Sequence, residues 1–136
     1  MTDPSVSSAL PTDLAATGGK ARRILIVEDE ALIGFTLKML FEDEFGFEVL
    51  GPIGRLDEAV RAAREETVSF AILDVNIIGG EVFPAADILQ ARGIPFIFHT
   101  GHGVKNELRS IYAGSEVLSK PTPDDALMSA VRRMLV

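Results

Sequence analysis

The fold is decided by the stretch Arg22-Arg23-Ile24-Leu25-Ile26-Val27-Glu28-Asp29-Glu30, in which a β-branched apolar run ends abruptly in three acidic residues. A continuous apolar run of this length is typical of a strand that is buried on both faces of a parallel sheet. The acidic residues follow at the end of that strand. This stretch therefore predicts a central strand of an α/β domain, with carboxylates at its carboxyl end.

Four more apolar segments follow, separated by amphipathic patterns. The predicted strands are Arg22–Val27, Phe47–Leu50 (closed by Gly51-Pro52), Val68–Leu73, Ile94–Phe98 and Glu116–Leu118. The helical segments have apolar residues at helical spacing, within 31–45, 56–63, 82–89 and 105–112. In the last helix the apolar residues lie at 127–134. Short crossovers of this size imply a doubly wound five-stranded parallel sheet with helices on both faces.

Helix ends are also marked in the sequence. Gly46 is a candidate C-terminal cap of the first helix, and Pro84 is tolerated in the first turn of the third. The segment Thr122-Pro123-Asp124-Asp125 supplies an N-cap, an N1 proline and an acidic first turn for the last helix. Residues 1–20 are rich in Ser, Thr, Gly and Pro, and we expect a disordered or mobile tail there.

Composition excludes several classes of function. The chain has 136 residues, no Cys, two His and a net charge of −7. The missing Cys rule out disulfides and thiolate chemistry, and the acidic balance argues against nucleic-acid binding. No apolar run approaches the roughly 18 residues that span a bilayer, so we expect no membrane insertion. One small acidic domain is indicated.

Polar side chains follow four of the five predicted strands. They are Glu28 and Asp29, then Asp74, then Thr100, then Ser119 and Lys120. In an open parallel α/β sheet, ligands bind outside the carboxyl ends of the strands, where the strand order reverses. If these strands are neighbours, we expect the polar side chains to converge on one crevice.

Glu28, Asp29 and Asp74 would crowd three carboxylates together. They repel one another unless their pKa values rise or a divalent cation neutralises them. Because only oxygen ligands are present, a hard cation is indicated, and Mg²⁺ fits best since it needs few protein carboxylates. The backbone carbonyl of Asn76 is a further candidate ligand.

Thr100 and Lys120 would add a hydroxyl and a cation, which can hold phosphoryl oxygens. Phosphoryl transfer depends mainly on positioning and charge neutralisation, and this set of residues supplies both. Asp74, central and followed by the Gly79-Gly80 loop, is then the nucleophile that accepts phosphate.

Each element has an ordinary structural explanation as well. Glu28–Glu30 can be an acidic first turn of a helix, Asp74 and Thr100 can be turn residues, and Lys120 can be an exposed loop lysine. The joint functional interpretation is favoured because all four fall at strand ends of one predicted fold.

The chain resembles a response-regulator receiver domain of two-component phosphorelay signalling. The matching stretches are Ile24–Glu30, Ala71–Asn76, Phe98–Gly101 and Leu118–Pro121, in the family's order and spacing. The resemblance covers about Arg22 to Val136. It implies a receiver domain over residues 21–136 with the flavodoxin-like strand order 2-1-3-4-5. The implied site residues are the phospho-acceptor Asp74, the Mg²⁺ ligands Glu28, Asp29, Asp74 and the Asn76 carbonyl, and the phosphoryl-binding Thr100 and Lys120.

The sequence departs from the family pattern around the conformational switch. The stretch Pro95–His102 resembles the Pro-Phe-x-Phe-Ala-Thr-Gly-Tyr segment of a single-domain receiver group common in alphaproteobacteria, with His99 and His102 replacing Ala and Tyr. Receivers usually have an aromatic switch residue three positions before the lysine, where this chain has Val117. The candidate switch residues are therefore Thr100, Val117 and His102. We expect His99 to lie behind the site or to point outward at the strand end.

The favoured function is a stand-alone, phospho-accepting receiver. The resemblance implies a cytoplasmic bacterial protein that takes phosphate from a histidine kinase or a histidine phosphotransfer protein and signals through protein contacts or phosphate relay. It implies no enzymatic role beyond assisting its own phosphotransfer and dephosphorylation. The face near helix four, strand five and helix five is the implied output surface. Leu32, Phe35 and Met39 of helix one are a candidate kinase-docking surface, although we expect ordinary packing for most of them.

Two alternative functions remain open at this point. One is a phosphorylation-independent interaction module with a receiver fold, which the Val117 substitution favours. The other is a phosphatase-like enzyme with an Asp nucleophile. It is disfavoured because the usual second Asp, two residues after the nucleophile, is replaced by Asn76, which cannot shuttle a proton.

Overall fold

The computed structural model describes residues 22–101, 105–112 and 114–135. The elements are β1 (Arg23–Val27), α1 (Ala31–Phe45), β2 (Glu48–Ile53), α2 (Leu56–Glu65), β3 (Phe70–Leu73), β4 (Asn76–Ile77), β5 (Gly80–Glu81), α3 (Phe83–Ala91), β6 (Phe96–Thr100), α4 (Lys105–Ile111), β7 (Glu116–Ser119) and α5 (Asp124–Leu135). The main sheet has the order β2-β1-β3-β6-β7, and every neighbouring pair in it is parallel. The predicted doubly wound sheet and its order are confirmed.

Two apolar cores lie on opposite faces of the sheet. One face packs against α2, α3 and α4, and the other packs against α1 and α5. Strand β6 shows the division clearly, because Phe96 and Phe98 contribute to the first core and Ile97 to the second. Successive strand residues face opposite sides of a sheet, so this alternation also separates His99 from Thr100.

Strand β2 is longer than predicted, since it continues through Gly51 and Pro52 to Ile53. Gly51 has φ +117°, and a Cβ at this position would clash with the carbonyl oxygen of Ile26. Glycine therefore lets the strand approach β1 closely where most residues would be strained. The prediction that Gly51-Pro52 closes the strand was wrong because Pro is tolerated on this edge strand.

The segment after β3 was predicted as a loop and contains a two-stranded antiparallel hairpin, β4 and β5. Its turn uses Gly79 and Gly80, both at positive φ. Strand β6 begins and ends two residues later than predicted, and β7 is one residue longer, so Thr100 and Ser119 lie within the sheet. Gly46 caps α1 in the left-handed conformation, as predicted.

Helix α5 begins at Asp124, one residue later than the predicted N1 position of Pro123. The carbonyl of Pro123 accepts the N–H of Leu127, and the hydroxyl of Thr122 donates to the carbonyl of Ser119. The predicted tail, residues 1–20, lies outside the described residues. No helix within the described ranges combines the length and apolar character needed to cross a bilayer.

Candidate functional site

The sequence-predicted site forms at the carboxyl edge of the central strands, and backbone hydrogen bonds fix its parts. The N–H of Asp74 donates to the carbonyl of Val27 (2.9 Å), which holds the end of β3 against β1. The N–H of Lys120 donates to the carbonyl of Thr100 (2.8 Å), which ties the end of β7 to β6. The four strand ends that have polar residues therefore lie side by side at one edge of the sheet.

Glu28, Asp29 and Asp74 form the acidic part of the site. Each offers a carboxylate oxygen, and these oxygens all lie within 4.8 Å of one another. Glu28 and Asp74 are buried, whereas Asp29 is exposed and open to solvent. Hard oxygen ligands of this number and charge fit a divalent cation such as Mg²⁺, which retains several waters. The predicted convergence of the three carboxylates is confirmed.

Lys120 is the cation that the structure brings to these carboxylates. Its Nζ lies 2.8 Å from Oε1 of Glu28, 3.1 Å from Oδ2 of Asp74 and 3.4 Å from Oε1 of Glu30. Its side chain is 11% exposed, so the alternative explanation that Lys120 is an ordinary exposed loop lysine was wrong. Because the ammonium is largely shielded from solvent, these contacts are much stronger than ion pairs on an open surface.

The site raises the pKa values of Glu28 and Lys120, for different reasons. Burial raises the pKa of Glu28 to about 7, although Lys120 and the N–H of Glu30 (3.1 Å from Oε2) favour its charged form. Burial alone would lower the pKa of Lys120, but the carboxylates of Glu28 and Asp74 outweigh it, and the net pKa is raised. Lys120 therefore stays protonated and charged, while Glu28 can hold a proton near neutral pH.

Asn76 and Thr100 differ in burial and in their place in the sheets. Asn76 is exposed in β4, where it pairs with Glu81 of β5, and the use of its carbonyl as a metal ligand stays a prediction. Thr100 is 2% exposed at the end of β6 and pairs with Ser119 in the ladder. The strand therefore places the hydroxyl-bearing residue at the same edge as Asp74.

The candidate switch residues are partly within the described structure. Val117 is buried beside Phe98, its partner in the ladder, and belongs to the core under α2, α3 and α4. His102 lies outside the described residues, so its suggested role as a replacement for the missing aromatic stays a prediction.

Sequence reasoning missed the role of Tyr112 in this core. Its ring contacts Phe98 (5.2 Å between centroids), Phe96 and Phe83, and its hydroxyl donates to Oδ1 of Asp87 (2.6 Å). Burial and the Asp87 carboxylate raise the pKa of Tyr112. The residue joins the end of α4 to α3 and packs against β6, two residues before Thr100. The sequence offered one sign of this role, because Tyr112 is the chain's one tyrosine and ends the apolar stripe of a predicted helix.

His99 is buried, so of the two expectations for this residue the outward-pointing position was wrong. It is 5% exposed, and neither ring nitrogen has a hydrogen-bond partner among the described residues. Burial lowers the pKa of His99 to about 4, with a further contribution from the Lys120 charge. An unpaired buried polar group costs about 1–3 kcal/mol. The imidazole is therefore neutral, and no described residue satisfies its nitrogens.

Helix α1 displays an apolar stripe to solvent. Leu32 is 78% exposed, Phe35 is 56% and Met39 is 44%. The expectation that most of them pack in the core was wrong, because Leu37 and Phe41 supply the buried face of this helix. An exposed stripe of large apolar residues is typical of an interaction surface. The candidate docking surface of the sequence interpretation is thus physically available.

Comparison with known proteins identifies a family and several solved structures of the same fold. The family model of the response regulator receiver domain matches residues 24–132. The solution structure of SdrG from Sphingomonas melonis Fr1 is 36% identical, with a TM-score of 0.71 over 85% of this chain and 98% of that one. The receiver domain of the sensor histidine kinase PA1611 from Pseudomonas aeruginosa PAO1 has the same fold. It is 20% identical, with a TM-score of 0.72 over 85% of this chain and 98% of that one. That structure is described with a magnesium ion coordinated in its active-site cleft.

Among curated relatives, the transcriptional regulatory protein PdtaR of Mycobacterium tuberculosis is 36% identical over 73 residues, which are 54% of this chain and 35% of that protein. The matches span between 28% and 56% of the length of the curated relatives. The chain belongs to the response-regulator receiver domain family.

Proposed function

We propose that this chain is a phospho-accepting receiver in which Asp74 takes a phosphoryl group from a histidine kinase or a histidine phosphotransfer protein. The observation that supports this most strongly is the clustering of the Glu28, Asp29 and Asp74 carboxylates within 4.8 Å, with Lys120 against Asp74. A carboxylate that is only 5% exposed yet lies at the edge of an open crevice is well placed to meet a donor. Phosphoryl transfer then needs positioning and charge neutralisation rather than further covalent chemistry.

Glu28, Asp29, Asp74 and the carbonyl of Asn76 are the proposed ligands of Mg²⁺. The magnesium ion described for the PA1611 receiver supports this assignment, and so does the oxygen-only donor set of this chain. When bound, the cation would neutralise charge on the carboxylates and on the incoming phosphoryl oxygens.

In the proposed step, an oxygen of the Asp74 carboxylate attacks phosphorus while the bond from phosphorus to the donor nitrogen breaks. The electron pair of that bond leaves with the donor imidazole. Lys120 and the Thr100 hydroxyl hold the phosphoryl oxygens, and Lys120 must shift some of its contact from Asp74 to them. The added charge of about −1.5 to −2 is large enough to rearrange nearby contacts.

We infer that the output is a protein contact or onward relay of the phosphate. The proposed output surface is the face of α4, β7 and α5, and the exposed α1 stripe of Leu32, Phe35 and Met39 is the proposed docking surface for the phosphate donor. A kinase that draws its phosphate from ATP would place this exchange in the cytoplasm. The acidic charge of −7 favours protein partners over nucleic acid.

Labelling with a small acyl phosphate tests the proposal. We expect the chain, with Mg²⁺ and acetyl phosphate, to gain one phosphoryl group that is stable in acid and labile in base, measured by intact mass spectrometry. Asp74→Asn should abolish the gain. Asp57→Asn, an exposed carboxylate on α2, should leave it unchanged and is the matched control.

Labelling that persists in Asp74→Asn would remove this residue from its proposed role. A failure of wild type to accept phosphate from acetyl phosphate and from a panel of histidine kinases would favour the phosphorylation-independent interaction module instead. Chelation of Mg²⁺ should suppress labelling of wild type, and labelling at full rate in excess chelator would contradict the proposed metal dependence.

A further inference from the structure

A groove of about 530 Å³ opens between α1 and α5, beside the phosphorylation site but facing the opposite side of β6. Its walls are mainly apolar, and the apolar lining residues are Leu32, Ile33, Leu37, Leu40, Pro121 and Leu127. His99 and Lys120 also line it. Small-molecule sites have this volume and this composition: apolar walls with a few polar groups that orient the ligand.

The buried ring of His99 is the independent sign that this groove takes a ligand. The residue is 95% buried, yet neither ring nitrogen is hydrogen-bonded within the part of the chain that the structure describes. Most polar groups buried this deeply are paired. Thr36 and Thr122, the hydroxyl groups of the groove, already donate to the carbonyls of Leu32 and Ser119. Among the described residues, the imidazole is therefore a buried polar group of the groove whose hydrogen-bonding capacity is unused.

The surrounding charges narrow the class of ligand. Glu30 and Asp124 line the groove and disfavour an anion. Lys120 already contacts the carboxylates of Glu28, Glu30 and Asp74, so it does not offer a free positive charge. A neutral imidazole presents one N–H donor and one acceptor nitrogen, which match a hydroxyl or an amide group.

We propose that the groove between α1 and α5 binds a small uncharged molecule with an apolar body and one hydroxyl or amide group, which hydrogen-bonds to His99. This site adjoins the proposed phosphate site and shares Lys120 with it, but it faces the other side of β6, and its ligand goes beyond the proposed phospho-receiver function. Its apolar walls would bind the body of the ligand, and His99 would select for the polar group. Molecules of the same shape that lack the polar group should bind less well, because they leave the imidazole unpaired.

Phenol and toluene are suitable probes because they have the same shape and differ in the hydroxyl group. The full-length protein is titrated with each by ¹H–¹⁵N NMR, without Mg²⁺ or phosphate donor, so that the result does not depend on the proposed phosphorylation. We expect saturable shifts at the amides of Gly101, Lys120 and Leu127. The ratio of the toluene Kd to the phenol Kd should fall by about fivefold in His99→Leu, which corresponds to one hydrogen bond.

His99→Gln, which keeps a donor and an acceptor, should retain most of the wild-type preference. If His99→Leu does not fold, the test is the preference of wild type itself, which should bind phenol more tightly than toluene. Both variants are first checked for a folded spectrum. The proposal is overturned if neither probe shifts the groove amides, if the shifts do not saturate, or if the ratio is the same in wild type, His99→Leu and His99→Gln.

Discussion

The ammonium nitrogen of Lys120 lies 3.1 Å from Oδ2 of Asp74, a residue 46 positions earlier in the chain. The contact joins the end of β7 to the end of β3 across the intervening strand β6. Since the same ammonium also meets Glu28 at 2.8 Å, one cation offsets two buried carboxylates. The stability of the apo site therefore depends on this one side chain.

Replacing Lys120 with Gln should destabilise the protein at pH 7 in the absence of Mg²⁺. Removing one partner from a buried ion pair costs about 3–5 kcal/mol, and protonation of Glu28 should reduce that loss toward its lower end. Urea denaturation measures the change in the free energy of unfolding. Lys38→Gln, which removes an exposed ion pair with Glu42, is the matched control and should cost about 0.3–0.5 kcal/mol. Equal losses in the two variants would show that the Lys120 contacts are energetically ordinary.

Mg²⁺ affinity should depend steeply on pH because a proton competes with the cation at Glu28. With a pKa of about 7, Glu28 binds a proton as the pH falls below neutrality, so the apparent Kd for Mg²⁺ should rise by up to about tenfold per pH unit. Isothermal titration calorimetry between pH 6 and 8 measures this dependence. Glu28→Gln should bind Mg²⁺ more weakly and lose most of the dependence, whereas Glu58→Gln on the exposed face of α2 should behave as wild type. A Kd that is constant from pH 6 to 8 in wild type would contradict the assignment.

His99 should reduce stability in acid. Its pKa of about 4 in the folded protein lies below the ordinary value of 6.5, so the unfolded chain binds the proton first as the pH falls. The stability associated with the neutral ring is complete above pH 6.5 and is lost as the pH falls through 4, by about 2 kcal/mol between pH 7 and 4.5. Glu28 acts in the opposite sense, because its raised pKa lets the folded protein take up a proton first between pH 7 and 4.5.

Urea denaturation of wild type and His99→Leu at both pH values isolates the histidine contribution, since Glu28 is common to the two proteins. The stability of His99→Leu relative to wild type should improve by that amount at the lower pH. Parallel curves for the two proteins would mean that the ring titrates normally when folded.

Tyr112→Phe tests the connection between α4 and α3. The substitution removes the hydrogen bond from the tyrosine hydroxyl to Asp87 and leaves the ring contacts with Phe83, Phe96 and Phe98. We expect a loss of about 1 kcal/mol in the free energy of unfolding and faster hydrogen exchange of the α4 amides. Tyr112→Ala, which also empties part of the core, should cost about 3–5 kcal/mol. Unchanged exchange in Tyr112→Phe would show that the hydroxyl does not hold α4.

The main features of the fold and site were predictable from local sequence. Val27 ends an apolar run, Glu28, Asp74 and Lys120 follow strands, and Thr100 ends one, and the burial pattern of these strands is visible in the sequence. Parallel strands place such positions at one edge, so convergence of the carboxylates followed from topology. These features depend on hydrophobic periodicity and connection length, which a single sequence reports well.

Other features depend on tertiary contacts that periodicity does not report. The apolar residues of α1 outnumber those its buried face can hold, and the sequence did not show that Leu32 and Phe35 are left outside. Tyr112, just after α4, occupies the core through its ring contact with Phe98 of β6, which no local pattern encodes. Strand β2 passes through Gly51 because β1 lies against it, whereas the Gly-Pro pair by itself indicates a turn.

A single peptide unit separates the two chemically different surfaces of this protein. Thr100 ends β6 at the same edge of the sheet as Asp74, and His99, its immediate neighbour in the strand, lines the groove between α1 and α5 on the opposite face. A slip of the strand by one residue would move the imidazole to the face that has Thr100 and the hydroxyl to the face of the groove. The pairing of β6 with Leu118 and Ser119 of β7 fixes its register. That register therefore determines which face of the sheet has the hydroxyl group and which has the imidazole.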